Sequence, residues 1–356
     1  MTPTPGQAVS IADVARLAKV STMTVSRVLN ETGPVSQRTR AAVLEAVAAL
    51  NYRPNPAART LSTGRSKTIG VITLEGFVEG PTSTLAGIEQ DARELGYSVS
   101  VSILQRPTPE SIAAAVDNLR SQSVAGIVLS APHIGLDDSL IPDSTVPMVA
   151  VEGMHGRSPV VAVDQHRGAS LATEHLVGLG HVRIGHIAGP DDRFEALERE
   201  AGWRDTLAAS GLEPGPLSRG DWSPRSGYEL AEQLLESGAT AVFCANDLMA
   251  LGVLRLMAER GVDVPGDLSV VGFDDISEAG YLTPSLTTVH YDFYQLGRRT
   301  LERLMADIGG AAGVEEGSRI LMQPSLVIRE SSGARRATRR RKPGSGPASR
   351  QREGAG

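Results

Sequence analysis

Apolar residues recur over the first fifty positions at helical spacing, and over most of the rest in short, solid runs. Ile11, Val14, Ala15 and Ala18 repeat at three- and four-residue intervals and form one apolar stripe of a helix. Val20 follows, and Ser21 is a good N-cap for a second helix, Thr22 to Leu29, that buries Val25, Val28 and Leu29. Asn30 and Gly33-Pro34 end it. Ser36 caps a third helix, Gln37 to Leu50, with Ala42, Val43, Ala46, Val47 and Leu50 on one face. Two short helices joined by a three-residue turn, supported by a third, make a helix-turn-helix, whose second helix is built to present its first residues to a major groove.

From Lys67 the pattern changes to buried strands alternating with helices. Strand-like runs start at Thr68, Ser98, Ala125, Pro147, Val160, Arg183, Thr240 and Leu268, and helical stretches such as Ser83 to Gly96 and Pro109 to Ser121 separate them. Such alternation predicts parallel sheets with helices on both faces. Ligands in these sheets sit beyond the carboxyl ends of the strands. Two such units in one chain predict facing lobes with a cleft between them. The expected fold is a small all-α head plus an α/β body of two doubly wound parallel-sheet lobes, of periplasmic-binding-protein type.

Between head and body, Pro54 to Gly64 reads as a linker with a weak helix, Asn55 as cap and Pro56 at its first position. About six helical residues are not stable in isolation. The expected domains are therefore 1–53, a linker at 54–65, a body at 66–330 and a tail at 331–356. Within the body, one lobe takes about 66–163 and 292–323, and the other about 164–291 and 324–330.

Charge sharpens this division. Residues 1–65 hold eight Lys or Arg against three Asp or Glu, and residues 331–356 hold eight against one, so the middle carries about −18 of a chain whose net charge is −6. An acidic body with a basic head suits a phosphate-binding module on a soluble carrier. The tail is low-complexity and basic, which predicts disorder and leaves room for nonspecific DNA affinity. No apolar run is long enough for a membrane span. Met1 to Gln7 carry neither a basic start nor an apolar signal core, so a cytoplasmic protein is expected. The lone Cys244 excludes an internal disulfide and, in the run Ala241-Val-Phe-Cys-Ala, reads as a small buried residue.

The stretch Val14-Ala-Arg-Leu-Ala-Lys-Val-Ser-Thr-Met-Thr-Val-Ser-Arg-Val-Leu-Asn30, with Leu50-Asn-Tyr-Arg-Pro-Asn55, resembles the head signature of the lac repressor family. The likeness continues to about Ser332 through Glu174-His-Leu-Val-Gly-Leu-Gly-His-Val-Arg-Ile, Ala201-Gly-Trp, Gly220-Asp-Trp-Ser, Ala245-Asn-Asp-Leu-Met-Ala-Leu-Gly and Ser269-Val-Val-Gly-Phe-Asp-Asp. It looks closer to the galactoside-responsive members than to the purine-responsive ones.

This resemblance implies a sequence-specific repressor of a carbohydrate-utilisation operon, released from double-stranded operator DNA by a small sugar. Its implied base readers are Thr22, Met23 and Arg27; Ser21, Thr24, Asn30, Ser36 and Thr39 would mainly hold phosphates. Arg27 suits a guanine edge, and Met23 a thymine methyl or local shape. Residues 54–65 become a hinge helix that forms on DNA, with Asn55 as its cap and Leu61 wedged into the minor groove beside Ala58. In the cleft, Arg199, Asn246, Asp274 and Glu152 would clamp sugar hydroxyls and Trp222 would stack on the ring. Arg106, Val78, Pro81, Val163 and Phe293 would line the rest.

Glu152 stands where the galactoside-responsive members have a shorter aspartate, and Leu74, Ser130 and Tyr291 stand where they have more polar residues. Lys19 occupies a turn position that is often glycine. The tail has no leucine heptad, so the tetramer-forming helix is absent and a homodimer is expected. Neither a cofactor nor a metal is implied.

Local structure offers competing explanations. Ser21, Ser36 and Asn246 are good helix caps in their own right, and Leu61 could pack within a plain linker. Arg27 could lie on a solvated face. Asp274 could open a turn with Asp275, Trp222 could be a half-buried core aromatic, and Arg199 could pair with Glu195, Glu198 or Glu200 on an exposed helix. A phosphorylated-sugar or purine corepressor is the alternative within the family. A sugar-acting enzyme is the alternative outside it: Glu152 and Asp274 could pose as paired carboxylates, but the head has no place in that account.

Overall fold

The computed structural model describes residues 9–30, 32–53, 66–74, 79–130, 146–153, 158–310 and 317–334. Two compact units emerge: residues 1–68 with 123–125, and the remainder of the chain. The linker residues Asn55, Ala58 and Leu61, the body residue Val78 and the tail from 335 onward lie outside the described residues.

In the head, helices α1 (Ile11–Ala18), α2 (Thr22–Asn30) and α3 (Gln37–Ala49) follow the apolar periodicity. Val14, Val25 and Val43 are fully buried where the three helices meet, with Ala15, Val28 and Ala46 around them. Leu29, Ala42, Val47 and Leu50 are only half-buried, because three short helices enclose little interior. Asp13 accepts from both the amide and the hydroxyl of Ser10 (3.0 and 2.7 Å), tying down the start of α1. Lys19 ends α1 in the left-handed region, at φ 54° and ψ 42°.

The body begins with β1 (Thr68–Leu74), α4 (Glu79–Glu94), β2 (Ser98–Leu104), α5 (Pro109–Ser121), β3 (Gly126–Ser130), β4 (Met148–Val151) and β5 (Val160–Val163). It continues through α6 (Gln165–Gly178), β6 (Ile184–Ala188), α7 (Phe194–Ala209), β7 (Leu217–Arg219), α8 (Pro224–Ser237), β8 (Ala241–Cys244), α9 (Asp247–Arg260), β9 (Ser269–Asp274) and β10 (Thr287–His290). The last elements are α10 (Phe293–Ile308), β11 (Arg319–Met322) and β12 (Ser325–Val327). Helix α4 starts four residues before the periodicity announces it. Its third residue is Pro81, tolerated there because first-turn amides have no partner within the helix.

Two six-stranded sheets result, in the orders β11-β5-β4-β3-β1-β2 and β12-β10-β9-β8-β6-β7. Each repeats one plan: the first strand lies inside, the second at the edge, and the third returns to the other side of the first. Neighbours from β11 to β1 in the first sheet and from β10 to β7 in the second pair in parallel, while β12 runs antiparallel to β10 with His290 opposite Ser325, so the second sheet is mixed at its edge. The short edge strands β7, β11 and β12 escape a reading based on solid apolar runs, since they are half-exposed. The chain passes between sheets at Asp164, at Tyr291-Asp292 and at Gln323-Pro324. Asp164 and Asp292 each cap the helix that follows, accepting from Arg167 N and Gln295 N, and the Asp164 amide donates to the Met322 carbonyl at 3.0 Å.

Solid runs do become buried strands. All four residues of β5 and of β8 are buried, Cys244 included, and burial pushes that thiol's pKa up. Helices pack in pairs at glycines: a Cβ on Gly227 or Gly252 would overlap the backbone of the partner helix in the α8–α9 pair, and Gly87 and Gly297 are equivalent in α4–α10.

A lysine in the left-handed region costs about 1 kcal/mol against glycine. Lys19→Gly should therefore slow amide exchange in the buried turns of α2 and α3 about fivefold. Unchanged exchange would mean that Lys19 holds this conformation without cost.

Candidate functional site

Both sheets end their strands on a common cavity of about 180 Å³. The first lobe contributes Leu74 at the end of β1, Ser130 at the end of β3 and Glu152 just beyond β4, together with Gly80, Phe293 and Leu296 from α4 and α10. The second contributes Arg193, Glu195 and Arg199 at and within the start of α7, Trp222 before α8, Asn246 after β8 and Asp274 at the end of β9. Gln165 and Tyr291 enter from two of the chain's crossings between sheets. This is where doubly wound sheets collect ligands, because neighbouring crossovers leave the strand ends on opposite sides of the sheet.

Arg199 is the best-held side chain in the cavity, and is only 3% exposed. Its Nε donates to Gln165 Oε1 at 2.8 Å, Nη1 donates to the Ala245 carbonyl, and Nη2 lies 3.3 Å from Asp274 Oδ1. The guanidinium carbon stands 3.7 Å from the centre of the Phe273 ring and 5.7 Å from that of Trp222. Burial works against its charge, but Asp274, Tyr291, Glu195 and Glu152 outweigh that and raise its pKa further. The exposed-helix explanation for Arg199 therefore fails. Glu200, one of its suggested partners, pairs instead with Arg204 at 2.6 Å and Arg219 at 2.7 Å.

The rings beneath it form one series. His186 stacks on Trp203 and Phe243, Phe243 meets Phe273, Phe273 meets Tyr291, and Tyr291 meets Phe293 at 4.3 Å. In a chain with 4% aromatic residues, this concentrates ring surface at the cavity floor and carries it from the second lobe to the first. Asn246 is a cap as the local pattern implies, accepting from Met249 N at 2.9 Å, and it also donates to the Trp222 carbonyl at 3.0 Å. It thereby fixes the loop that presents the indole, which lies against Gly189, where a Cβ would overlap the ring.

Backbone strain collects here too. Glu152, Trp222 and Asp274 all have positive φ, at 59°, 72° and 109°, as does Asp275 at 51°. Residues forced into such regions are held by their surroundings and cluster at binding sites. Asp275 is held by Arg329 at 2.7 Å and His290 at 3.0 Å. The buried Asp247 accepts from Thr288 Oγ1 and Ile276 N, and so anchors the loop after β9.

The cavity is acidic. Glu152 Oε1 accepts from Val163 N at 3.0 Å and Gln165 Nε2 at 3.2 Å, whereas its Oε2 is buried with no hydrogen-bond partner among the described residues. Glu195 Oε2 is buried in the same way. Burial, with the charge of Glu195 adding to it, pushes the Glu152 carboxyl up to about 7. Burial likewise raises Glu195, and lifts Asp274 to about 6 against the pull of Arg199.

Of the expected cleft residues, the structure brings Glu152, Arg199, Trp222, Asn246, Asp274 and Phe293 together. Val163 is fully buried and reaches the site only through its amide to Glu152. Arg106 is exposed in the turn between β2 and α5, with its carbonyl accepting from Ser111, and is not among the lining residues. The side chain of Pro81, like Val78, lies outside the described residues. Gln165, Arg193 and Glu195 escaped the sequence reading. Gln165 looks like any first-turn residue after a capping Asp, and Glu195 looks like part of a solvated acidic face.

On the head, Met23 is 63% exposed and Arg27 packs back on it, Nη2 to Sδ 3.6 Å, as residues four apart on one helical face do. Thr22 is exposed beside them. Ser21 accepts from Thr24 N at 3.1 Å and Ser36 from Thr39 N at 3.2 Å, so both serines cap, and Asn30 donates to Ser26 at 3.1 Å.

Comparison with known proteins gives this geometry its relatives. Residues 10–55 match the family of bacterial regulatory proteins of the lacI type, and residues 173–332 match the periplasmic binding protein-like domain. The lactose operon repressor of Escherichia coli (strain K12) is 38% identical over 339 residues, 91% of this chain and 91% of that one. The HTH-type transcriptional repressor PurR of Haemophilus influenzae (strain ATCC 51907 / DSM 11121 / KW20 / Rd) is 35% identical over 330 residues, 90% of this chain and 98% of that one. Among solved structures, the lac repressor dimer bound to operator and the anti-inducer ONPF superposes with a TM-score of 0.85 at 36% identity, over 92% of this chain and 100% of that one. With its helix-turn-helix head and its two-sheet body both accounted for, the chain belongs to the lacI family of bacterial regulatory proteins.

Proposed function

We propose that this DNA-binding transcriptional repressor acts as a cytoplasmic homodimer on a near-palindromic operator of a carbohydrate-utilisation operon, and that a small galactoside-like sugar bound between its lobes releases it. The observation that carries the sugar reading is the convergence of Arg199, Asp274 and Asn246 with the Trp222 indole at the strand ends. A pyranose offers a ring of hydroxyls for the first three and an apolar face for the fourth. The dimer and the operator rest on the likeness to the lac repressor dimer. The protein is read as a regulator rather than an enzyme: its relatives are repressors, and Asp274, one of the two carboxylates an enzyme would use, is already committed to Arg199.

On the head, Thr22, Met23 and Arg27 read base edges, while Ser21, Thr24, Asn30, Ser36 and Thr39 hold phosphates and set register. Asn55, Ala58 and Leu61 belong to a hinge helix on the bound duplex, with Leu61 in the minor groove. In the body, Glu152, Arg199, Trp222, Asn246, Asp274 and Phe293 contact the sugar.

Coupling runs through the crossings. Glu152 in the first lobe bonds to Gln165 at one crossing, Gln165 to Arg199 in the second lobe, and Asp274 beside it to Tyr291 at another crossing, 3.4 Å away. A ligand that binds one lobe arrangement more tightly than the other biases the pair of lobes, and through them the DNA affinity, by that difference.

The deciding experiment measures operator binding by the purified dimer at one fixed salt concentration, titrated with mono- and disaccharides. Release by a galactoside or another neutral sugar is the expected result. Tightening instead of release would make the protein a corepressor-type regulator. Arg27→Ala should cut the preference for operator over random duplex by about 1–3 kcal/mol and leave sugar binding intact; equal loss of both would point to misfolding. Trp222→Ala should hold the operator normally and need at least about tenfold more sugar for release, as the loss of one ring's stacking implies. Unchanged release would remove Trp222 from the sugar site.

A further inference from the structure

The reading of the cavity as the effector site leaves its charge unexplained. Three carboxylates, Glu152, Glu195 and Asp274, line it against Arg193 and Arg199. The charge of Arg199 is already answered by Asp274, and three of its five N–H donors face Gln165, Ala245 and Asp274. Arg193 stands 3.9 Å from its neighbour Asp192. Among the described residues, the buried atoms of the cavity that lack a hydrogen-bond partner are on the acidic side. Among the described residues, Glu152 Oε2 and Glu195 Oε2 are buried acceptors without a hydrogen-bond partner, one from each lobe, and the charge of Glu195 raises the proton affinity of Glu152. Buried acceptors of this kind carry a desolvation penalty until a donor reaches them. Above about pH 7, where Glu152 is ionised, a phosphate or carboxylate placed between them would add repulsion.

We infer that Glu152 and Glu195 form a carboxylate pair that selects the effector by charge, admitting sugars whose hydroxyl or ammonium groups donate to Glu152 Oε2 and Glu195 Oε2 and refusing phosphorylated or acidic ones. Because the two residues come from different lobes, a donor-bearing ligand that satisfies both also bridges the cleft. Within the repressor reading, this narrows the effector class to unphosphorylated neutral or basic sugars, and makes Glu195 a specificity-determining residue.

Two measurements on the full chain test this. In the first, galactose, galactosamine and galactose 6-phosphate, with their glucose counterparts, are titrated calorimetrically. In at least one series the neutral or amino sugar should bind at least about tenfold more tightly than its phosphate, and Glu195→Gln should shrink that gap. A phosphate that binds as tightly as its neutral parent would overturn the inference.

The second measurement needs no ligand. Trp203 is fully buried, so of the chain's two tryptophans Trp222 supplies the quenchable emission from the cleft wall. Caesium should quench it more efficiently than iodide, with acrylamide as the neutral reference. The exposed Asp221 adjoins Trp222, so the deciding quantity is the change on Glu195→Gln, which should narrow the caesium preference. The same preference in both proteins would overturn the pair. If the preference narrows but no sugar in either series binds, the sugar-effector reading fails while the charge selection stands.

Discussion

A guanidinium taken out of water sets the terms for the body of this protein. An isolated buried charge costs several kcal/mol even after relaxation, so Arg199 persists in the interior only because its surroundings answer nearly every part of it. The face of Phe273 lies against the plane of the cation, Gln165 and the Ala245 carbonyl take its donors, and Asp274 balances its charge. These partners come from one crossing between the lobes, from the end of β8 and from the end of β9. Satisfying one side chain thus fixes where three separate segments end. Taking away Asp274 leaves Arg199 buried without its counter-charge, a loss of about 3–5 kcal/mol for a broken buried pair.

The same geometry explains why the strained residues sit where they do. Glu152, Trp222 and Asp274 are each turned into the left-handed region directly after a strand or before a helix. There the chain must aim a side chain into the cavity while its backbone turns away to the next helix. The strain is held by ordinary means: Asn246 on the Trp222 carbonyl, Arg329 and His290 on Asp275, and the buried Asp247 on the loop beyond. Helices flanking each sheet are locked together at glycines, where the backbones touch and no side chain could be added. Lobes packed in this way move most readily as bodies, which leaves the crossings to take up any change between them. The head works on a smaller scale, with the polar residues Ser21 and Ser36 closing helix ends while facing solvent.

The sequence by itself determined a good deal. Apolar spacing at three and four defined α1 to α3, and solid apolar runs marked the interior strands, because burial on one stripe or on both faces leaves a periodic trace. The acidic body between basic ends was visible from composition. Six cleft residues could be named from the family resemblance: Trp222, Asn246 and Asp274 stand inside its motifs, and Glu152, Arg199 and Phe293 were placed by the likeness of the chain around them. Half-exposed edge strands, the early start of α4 and the inward role of Gln165 left no such trace.

Only the tertiary structure decided how the carboxylates are used. Along the chain, Glu195, Glu198 and Glu200 look alike, three acids on the helix that carries Arg199. In the fold, Glu200 turns to Arg204 and Arg219, while Glu195 lines the cavity with an oxygen that has no hydrogen-bond partner among the described residues. Glu152 lines the same cavity from the other lobe, although the two are separated by a whole crossing of the chain. Burial and charge are sums over neighbours in space, and local sequence records neighbours only along the backbone. Six residues that line the cavity were therefore legible early, whereas the electrostatic character of the cleft became legible only when two sheets were brought end to end.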